Sequence, residues 1–330
     1  MENLPAHWTI RPVTLADAAA VTKLIQRSEL ARLGETDTIQ DEIEAWWRRH
    51  EASLEQNSWL VKTENDTLAG VALLYDRKYG VLEFEVFVAP ELVETGLETY
   101  LLHLCEKRAG ELVPLAPEGA KVALHAWFDR EDSARWELLE QHGYAPGRYF
   151  WQMGIQLKEQ PSAPQWADGI TVRTLTPGME RAIFEAKEEA FKDHWGHTPT
   201  TFEEWVQHTF QRKNMDPSLW FLAMDGDEIA GLALCSDETP YDQGGWVNVL
   251  GVRRPWRRKS IGLALLHQAF GEFYQRGISD VYLNVDARSL TGATRLYERA
   301  GMRKVKEYVM MEMLLRDGID LTVQRLEDEN

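Results

Sequence analysis

The chain has 330 residues, 44% of them hydrophobic, and a formal net charge of −17 at pH 7. This length exceeds one ordinary hydrophobic core and suits two domains of about 150 residues each. The negative charge argues against nucleic acid or an anionic membrane surface as a partner, because the field of the protein repels polyanions.

Neither a targeting signal nor a metal-ligand pattern is present in the sequence. The first residues lack a basic region followed by an apolar one, and no apolar run reaches the length of a membrane span. Cys105 and Cys235 have apolar neighbours, as small core residues do, and the nine histidines include no pair four residues apart. We therefore expect a cytoplasmic protein that holds no metal ion.

The two halves of the chain repeat each other. The matched segments are 8–11 (WTIR) with 170–173 (ITVR), 101–103 with 265–267 (LLH in both), and Gly143 with Gly301. Each half predicts the same order of elements: a strand, one or two helices, two or three antiparallel strands, a strand leading into a loop, a helix, a strand, a helix and a last strand. The repeat predicts two domains with one fold.

A polar segment with two prolines, residues 158–168, separates the halves and is typical of a linker. We therefore expect one domain over residues 1–157 and a second over residues 169–316. The remaining residues, 317–330, form a short acidic tail that we expect to be weakly ordered.

The stretch over residues 246–266 (WVNVLGVRRPWRRKSIGLALL) changes from a strand to a helix through a basic loop. The apolar stripe of the helix consists of Ile261, Leu265, Ala269 and Phe273. Five of the seven residues from 253 to 259 are basic, although the chain is acidic. Because a helix N-terminus leaves backbone N–H groups unpaired and favours an anion, this loop predicts a phosphate site. A solvated basic turn is the alternative.

Two motifs carry a resemblance to the GNAT family of N-acetyltransferases. Residues 257–262 (RRKSIG) resemble the signature Q/R-x-x-G-x-G/A of that family, with Ser260 in place of the first glycine. Residues 289–302 (SLTGATRLYERAGM) are similar to its second coenzyme-binding region, with Ser289 in place of the usual asparagine. Both motifs occur in the expected order, which chance alone rarely supplies.

The resemblance implies a mixed α/β (α+β) protein with two tandem GNAT-fold domains, each a mixed, mostly antiparallel sheet flanked by helices. It also implies acetyl-CoA or another acyl-CoA as cosubstrate, and a small-molecule amine as acceptor. The cofactor-binding residues that it implies are Leu250, Gly251, Val252, Arg257, Arg258, Lys259, Ser260, Ile261, Gly262, Leu263, Ser289 and Arg295.

The first half lacks the basic phosphate loop. The repeat aligns residues 257–259 (RRK) with residues 93–95 (VET) and Gly262 with Glu98. A carboxylate at this place opposes the charge of a phosphate. We therefore expect a degenerate first domain that serves as a scaffold, and a cofactor site in the second domain alone.

Tyr297 lies in the second motif and is our candidate general acid. Its ordinary pKa near 10 lies close to that of a leaving thiol, so proton donation is nearly balanced. A core aromatic side chain is the alternative. The sequence does not identify the general base. Asp237, Glu238 and Asp242 could act directly or through water, and turn residues are the favoured alternative.

Carboxylates and aromatic groups at the end of the first helix of the second domain are candidates for the acceptor pocket. These residues are Glu188, Glu189, Asp193, His194 and Trp195. Exposed carboxylates on a helix usually serve solvation, which is the alternative. For the whole protein, a non-catalytic acyl-CoA-binding or sensor module is the alternative function, and the presence of Tyr297 favours the enzyme.

Overall fold

The computed structural model divides the chain into two compact units. The described residues are 4–36, 38–49, 51–77, 80–192, 194, 200–210, 215–237, 244–289 and 292–321. Unit 1 consists of residues 4–149 together with Tyr308–Leu321, and unit 2 consists of Phe150–Glu307. Each unit has two hydrophobic clusters of its own.

Unit 1 combines a strand-rich core with helices. The elements that begin in it are β1 (Thr9–Arg11), α1 (Ala18–Leu33), α2 (Gln40–Arg49), α3 (Glu51–Asn57), β2 (Ser58–Lys62), β3 (Leu68–Asp76), β4 (Val81–Val88), α4 (Leu97–Leu112), β5 (Val122–Asp129), α5 (Ser133–Gln141) and β6 (Ala145–Gln156). The strands β1 to β5 lie side by side in chain order. Of these neighbours, β4 and β5 are parallel and the others are antiparallel.

Unit 2 repeats this arrangement. Its elements are β7 (Ile170–Thr174), α6 (Glu180–Phe191), α7 (Phe202–Phe210), β8 (Trp220–Asp225), β9 (Glu228–Ser236), β10 (Gly244–Val252), α8 (Ile261–Gln275), β11 (Asp280–Asp286), α9 (Ala293–Arg299) and the start of β12 (Arg303–Arg316). The strands β7 to β11 lie in chain order, with β10 and β11 parallel and the others antiparallel. The predicted mixed, mostly antiparallel sheet is confirmed.

The last strand of each half pairs within the unit that holds most of the other half. Residues 150–156 of β6 run antiparallel to β11, from Phe150 opposite Asp286 to Gln156 opposite Asp280. Residues of β12 from Tyr308 onward run antiparallel to β5. The units therefore divide the chain differently from the boundaries at 157 and 169, because backbone hydrogen bonding rather than sequence order assigns these strands. Those boundaries stay a prediction of where the repeats end.

The helix that follows the basic loop is anchored by the predicted stripe. Ile261, Leu265, Ala269 and Phe273 are all at most 1% exposed and belong to one cluster of unit 2. Gly301 follows α9 at a φ of 91°, a left-handed conformation that glycine adopts without steric cost. The predicted helix after the basic loop, α8, and its apolar face are confirmed.

Both cysteines are buried free thiols, which confirms their prediction as core residues. Burial raises the pKa of each thiol above its ordinary value, and Glu106 contributes to the shift at Cys105. Within the described ranges, no helix combines the length and the apolar character that crossing a bilayer requires.

Glu312 on β12 forms charged contacts with His125 on β5 and with Lys121, which directly precedes β5. Its carboxylate lies 3.0 Å from Nε2 of His125 and accepts a hydrogen bond of 2.7 Å from Nζ of Lys121. These hydrogen bonds, that of His125 first, lower the pKa of Glu312 to about 2 from 4.5. Since the folded pKa is lowered, the ionised group stabilises the folded state above pH 4.5, and this stability is lost as the pH falls towards 2.

We expect Glu312→Gln to lower the free energy of unfolding at pH 7 by about 2 kcal/mol, because it removes the ion pair at a partly buried site. Chemical denaturation between pH 3 and pH 7 measures the effect, and the variant should lose less stability than the parent protein on acidification. Glu118→Gln is the control, since Glu118 is exposed. Equal stability of Glu312→Gln and the control at every pH would contradict the assignment.

Candidate active site

In unit 2 a cleft opens where the two parallel strands diverge. The ladder between β10 and β11 runs from Gly244 opposite Asp280 to Trp246 opposite Tyr282 and then stops. Beyond this point β10 continues to Val252 and pairs with β9 on its other edge. Among the described residues, no strand pairs with the free edge over residues 247–252. An extended ligand that carries amide groups can pair with such an edge as an added strand.

The predicted contacts Leu250, Gly251 and Val252 lie on this free edge. Just before them the register slips from Val247 opposite Cys235 to Val249 opposite Leu234, so Asn248 is the extra residue of a β-bulge. The bulge redirects the strand at the mouth of the cleft. Sequence reasoning missed it, because a bulge depends on the partner strand and leaves no periodic signal in β10 alone.

The basic loop has the strained backbone of a tight turn. Arg258 and Ser260 adopt φ values of 63° and 58°, in the left-handed region that favours glycine. Ser260 therefore takes the conformation of the glycine that it replaces in the family signature, at a cost of about 1–3 kcal/mol. Strain of this kind is typical of sites where a backbone must present its N–H groups to a ligand.

The helix α8 begins directly after Ser260 and fits closely against its neighbours. A side chain at Gly262 would bring its Cβ within 3.1 Å of Leu296. The first N–H groups of the helix, from Ile261 to Leu263, have no acceptor within the helix and carry its positive dipole end. Backbone and loop together have the features of an anion site, which stays a prediction.

The basic side chains of the loop divide into two kinds. Arg257 donates from Nε to the carbonyl oxygen of Val252 at 3.2 Å and from Nη2 to that of Ala190 at 3.2 Å. These hydrogen bonds support the shape of the loop, and the predicted contact of Arg257 with the cofactor stays a prediction. Arg258 and Lys259 are exposed, and their predicted contact with a phosphate stays a prediction.

Tyr297 is almost fully buried on α9, with 7% of its surface exposed. Burial raises the pKa of Tyr297 to about 12, so its hydroxyl keeps its proton throughout the physiological range. The hydroxyl has no hydrogen-bond partner within the described part of the chain. Its oxygen is not among the buried unpaired atoms of the described residues, so solvent reaches it and the hydroxyl can donate to a ligand.

The second motif forms a turn between β11 and α9. The N–H of Ser289 donates to the carbonyl oxygen of Asp286 at 3.0 Å, and the N–H of Gly292 donates to that of Ser289 at 3.3 Å. Arg295 is exposed on α9. Binding of the cofactor by Ser289 and Arg295 stays a prediction.

The acceptor candidates lie at the end of α6, close to the free edge of β10. A Cβ at Gly251 would lie 2.9 Å from Cβ of Ala190, so this end of the helix covers the strand directly. Glu189 pairs with Nε of Arg253 at 2.6 Å, and Glu188 pairs with Lys187 at 2.8 Å. Of the other candidates, His194 packs on Phe191 with ring centroids 5.7 Å apart. Asp193 and Trp195 lie outside the described residues.

Of the three candidates for the general base, one lies among the described residues. Asp237 lies 3.8 Å from Nη1 of Arg276, within the range of a weak ion pair. Glu238 and Asp242 lie outside the described residues. The strand that enters the cleft offers Asn248, whose amide donates to Oγ of Ser236 at 2.8 Å and cannot act as a base.

Unit 1 has the same divergence of strands, and the small cavity that remains there is lined by two of its own charged side chains, Arg135 and Glu98. The parallel ladder between β4 and β5 ends at Phe84 opposite Ala126. Beyond it, Nη2 of Arg135 donates to the carbonyl oxygen of Val86 at 2.9 Å and so occupies the free edge of β4. At the start of α4, Glu98 pairs with Nη2 of Arg32 at 2.5 Å. Glu98 stands where the repeat predicted it, and Arg135 was not foreseen.

Comparison with known proteins identifies the class of protein. The chain matches the acetyltransferase (GNAT) family model over residues 180–302. The solved GCN5-related N-acetyltransferase from Sphaerobacter thermophilus is 39% identical and aligns over 98% of this chain and 100% of its own, with a TM-score of 0.80. The mycothiol acetyltransferase of Thermobispora bispora is 30% identical over 253 residues, which cover 74% of this chain and 80% of that protein. The chain belongs to the GNAT family of acetyltransferases.

The tandem arrangement has a counterpart among solved structures. A tandem GNAT protein from the clavulanic acid biosynthesis pathway aligns over 94% of this chain and 99% of its own, with a TM-score of 0.66 and 14% identity, which supports the fold alone. The prediction of a tandem GNAT-family acetyltransferase is confirmed. The tandem architecture read from the sequence also resembles that of mycothiol synthase, and relatives named mycothiol acetyltransferase support this resemblance.

Proposed function

We propose that the protein transfers an acyl group, most simply acetyl, from acyl-CoA to a small-molecule amine, and that unit 2 holds the reaction site. The contrast between the two units carries this proposal. The cleft of unit 2 has a free strand edge and a basic loop, whereas Arg135 and Glu98 occupy the same places in unit 1. Unit 1 therefore acts as a scaffold.

Different groups of unit 2 have different roles in the proposed acyl transfer. Acyl-CoA supplies the thioester from which the acyl group leaves. Within residues 250–252 of β10, the N–H groups of Leu250 and Val252 face the free edge and polarise the thioester carbonyl, since hydrogen-bond donors stabilise the negative charge that develops on its oxygen. The loop at residues 257–263 holds the diphosphate by backbone N–H groups, and the helix dipole of α8 adds to this attraction.

Tyr297 donates a proton to the departing thiolate. Its hydroxyl is protonated below about pH 12 and has no competing partner among the described residues. The acceptor amine must itself be neutral to attack the thioester. Water in the cleft accepts its proton, and the acidic surface of the chain favours a cationic acceptor over an anionic one.

The names of the curated relatives suggest where to begin with the acceptor. Several of these relatives are named mycothiol acetyltransferase. A panel of amines that includes the acceptor of those enzymes therefore tests acceptor choice, with hydrolysis of acetyl-CoA measured in parallel. Binding without turnover of any amine would favour the non-catalytic acyl-CoA sensor instead.

Binding of acetyl-CoA should occur once per chain and should depend on the exposed cations of the loop. We expect Arg258→Glu combined with Lys259→Glu to weaken binding by about 100-fold or more at low salt, since charge-assisted hydrogen bonds contribute roughly 1.5–3 kcal/mol each. Calorimetric titration measures both the stoichiometry and the affinity. Arg257 is left intact, because its side chain supports the loop.

The matched control is Glu94→Ala, at the corresponding place in unit 1, which should leave the affinity unchanged. Two equivalent sites per chain would refute the assignment to unit 2. Undiminished binding by the double variant would refute the role of the loop, provided that circular dichroism shows both proteins to be folded.

A further inference from the structure

A group of metal-ligand side chains lies in unit 1, outside the cleft described above. His103 and Glu106 are three residues apart on α4 and so project from the same face of the helix. His142 follows the end of α5 and caps that helix, with its N–H bonded to the carbonyl oxygens of Leu138 and Leu139. One ligand atom from each of the three side chains lies within 4.8 Å of the other two.

The carboxylate of this group has an oxygen that lacks a hydrogen-bond donor in the described part of the chain. Oε1 of Glu106 is buried and has no hydrogen-bond donor among the described residues. Nδ1 of His142 lies 3.3 Å from it, outside hydrogen-bond geometry. The hydroxyl of Tyr144, near Glu106, is a second buried oxygen without a partner in the same described set. Buried polar atoms are nearly always paired, and because Tyr144 can donate to only one oxygen of the Glu106 carboxylate, the other oxygen points to a missing partner.

We propose that His103, Glu106 and His142 bind a divalent transition-metal ion of the zinc class. Two imidazoles and one carboxylate are the donor set of many zinc sites, whereas Mg²⁺ and Ca²⁺ prefer oxygen alone. Bonds of about 2 Å in a tetrahedral site separate neighbouring ligand atoms by roughly 3.3 Å, so small side-chain rotations close the site. One oxygen of Glu106 binds the ion, and the other accepts a hydrogen bond from Tyr144.

The position of the site favours a cation and gives it a structural role. The C-terminal end of α5 carries the negative end of the helix dipole, beside His142. The rings of His103 and His142 already lie close together, with centroids 4.9 Å apart. A metal ion at this point joins α4 to the end of α5 and replaces the missing partner of Glu106.

The repeat supplies an internal comparison, because unit 2 keeps only one of the three ligands. His267 matches His103, whereas Phe270 stands at the place of Glu106 and Ala300 at that of His142. The site therefore belongs to unit 1 alone. His267→Ala is the matched control, since it removes an equivalent histidine that has no partner ligands.

The test uses the full chain after treatment with a chelator and its removal by dialysis. Calorimetric titration with Zn²⁺ should give one site per chain, and zinc should raise the melting temperature. Glu106→Gln and His142→Ala should each weaken zinc binding at least about tenfold, while His267→Ala should bind as the parent does. Co²⁺ in place of zinc should give the visible absorption of a four-coordinate site, which His103→Ala abolishes.

Acetyl-CoA affinity, measured on each variant, shows that the chain is folded and should not change. The absence of zinc binding by the parent protein would overturn the proposal. Binding that survives the combined change His103→Ala and His142→Ala would also overturn it, because the zinc would then lie elsewhere. Binding lost equally in His267→Ala would have the same meaning.

Discussion

Tyr297→Phe should lower kcat by about 10²–10³-fold and leave the Kd of acetyl-CoA within a few-fold of the parent value. The hydroxyl contributes only when the thiolate departs, so its loss affects the transition state and not the bound cosubstrate. Phenylalanine keeps the ring, which is buried in the core of unit 2, so the melting temperature should change little. Single-turnover and steady-state rates with acetyl-CoA and the best amine measure the effect.

The pH dependence gives this experiment a second readout. Because burial raises the pKa of Tyr297 to about 12, the acid form persists as the pH rises, and its loss falls above the usual range of assays. We therefore expect that ionisation of Tyr297 causes no decline of kcat in the parent protein between pH 8 and pH 10. The pH profile of kcat for Tyr297→Phe should have the same shape over this range. The control is Tyr297→Ala, which leaves a cavity and should destabilise the protein by about 3–5 kcal/mol. Equal turnover of parent and Tyr297→Phe, with chemistry rate-limiting, would make water the proton source.

A fragment over residues 168–307 should fail to fold, although it contains the whole predicted acyl-CoA site. It lacks residues 150–156 of β6, which form a seven-residue ladder with β11. Met153 and Leu157, also missing, are 1% and 6% exposed in the core of unit 2. Losing two such side chains costs about 3–6 kcal/mol, a large part of the 5–15 kcal/mol that stabilises a typical domain. The bare edge of β11 also promotes aggregation.

The matched fragment covers residues 150–307 and restores β6. We expect it to be soluble, to unfold cooperatively and to bind acetyl-CoA, because it comprises the complete unit. Gel filtration, thermal melting and calorimetric titration of both fragments measure the difference. A folded and active fragment over residues 168–307 would show that β6 contributes nothing to unit 2, and the unit would then end at the linker.

Local pattern was enough to predict much of this protein. Helical spacing of Ile261, Leu265, Ala269 and Phe273 predicted the buried face of α8, because burial follows the period of the helix. The motif over residues 257–262 and the repeat predicted the family and the tandem fold. Comparison of the halves also placed Glu98 at the start of α4, at the position that corresponds to Gly262 in unit 2. Each of these signals lies within a short segment or in the match between two segments.

Other features depend on groups that meet only in three dimensions. The exchange of the last strands depends on which edges of β5 and β11 are free, and neither β6 nor β12 shows its partner in its own residues. The hydrogen bond from Arg135 to the free edge of β4 joins it to the carbonyl oxygen of Val86, which lies 49 residues away in the sequence.

What the sequence by itself determined is the family, the repeat, the helix faces and the loss of the basic loop from the first half, because each is written in spacing along the chain. What the tertiary structure alone decided is the strand exchange, the structural role of Arg257 and the meeting of His142 with His103 and Glu106. The two ligands on α4 are one helical turn apart, but the third comes from another helix. Contacts of this kind arise from packing, and packing joins residues that no local period relates.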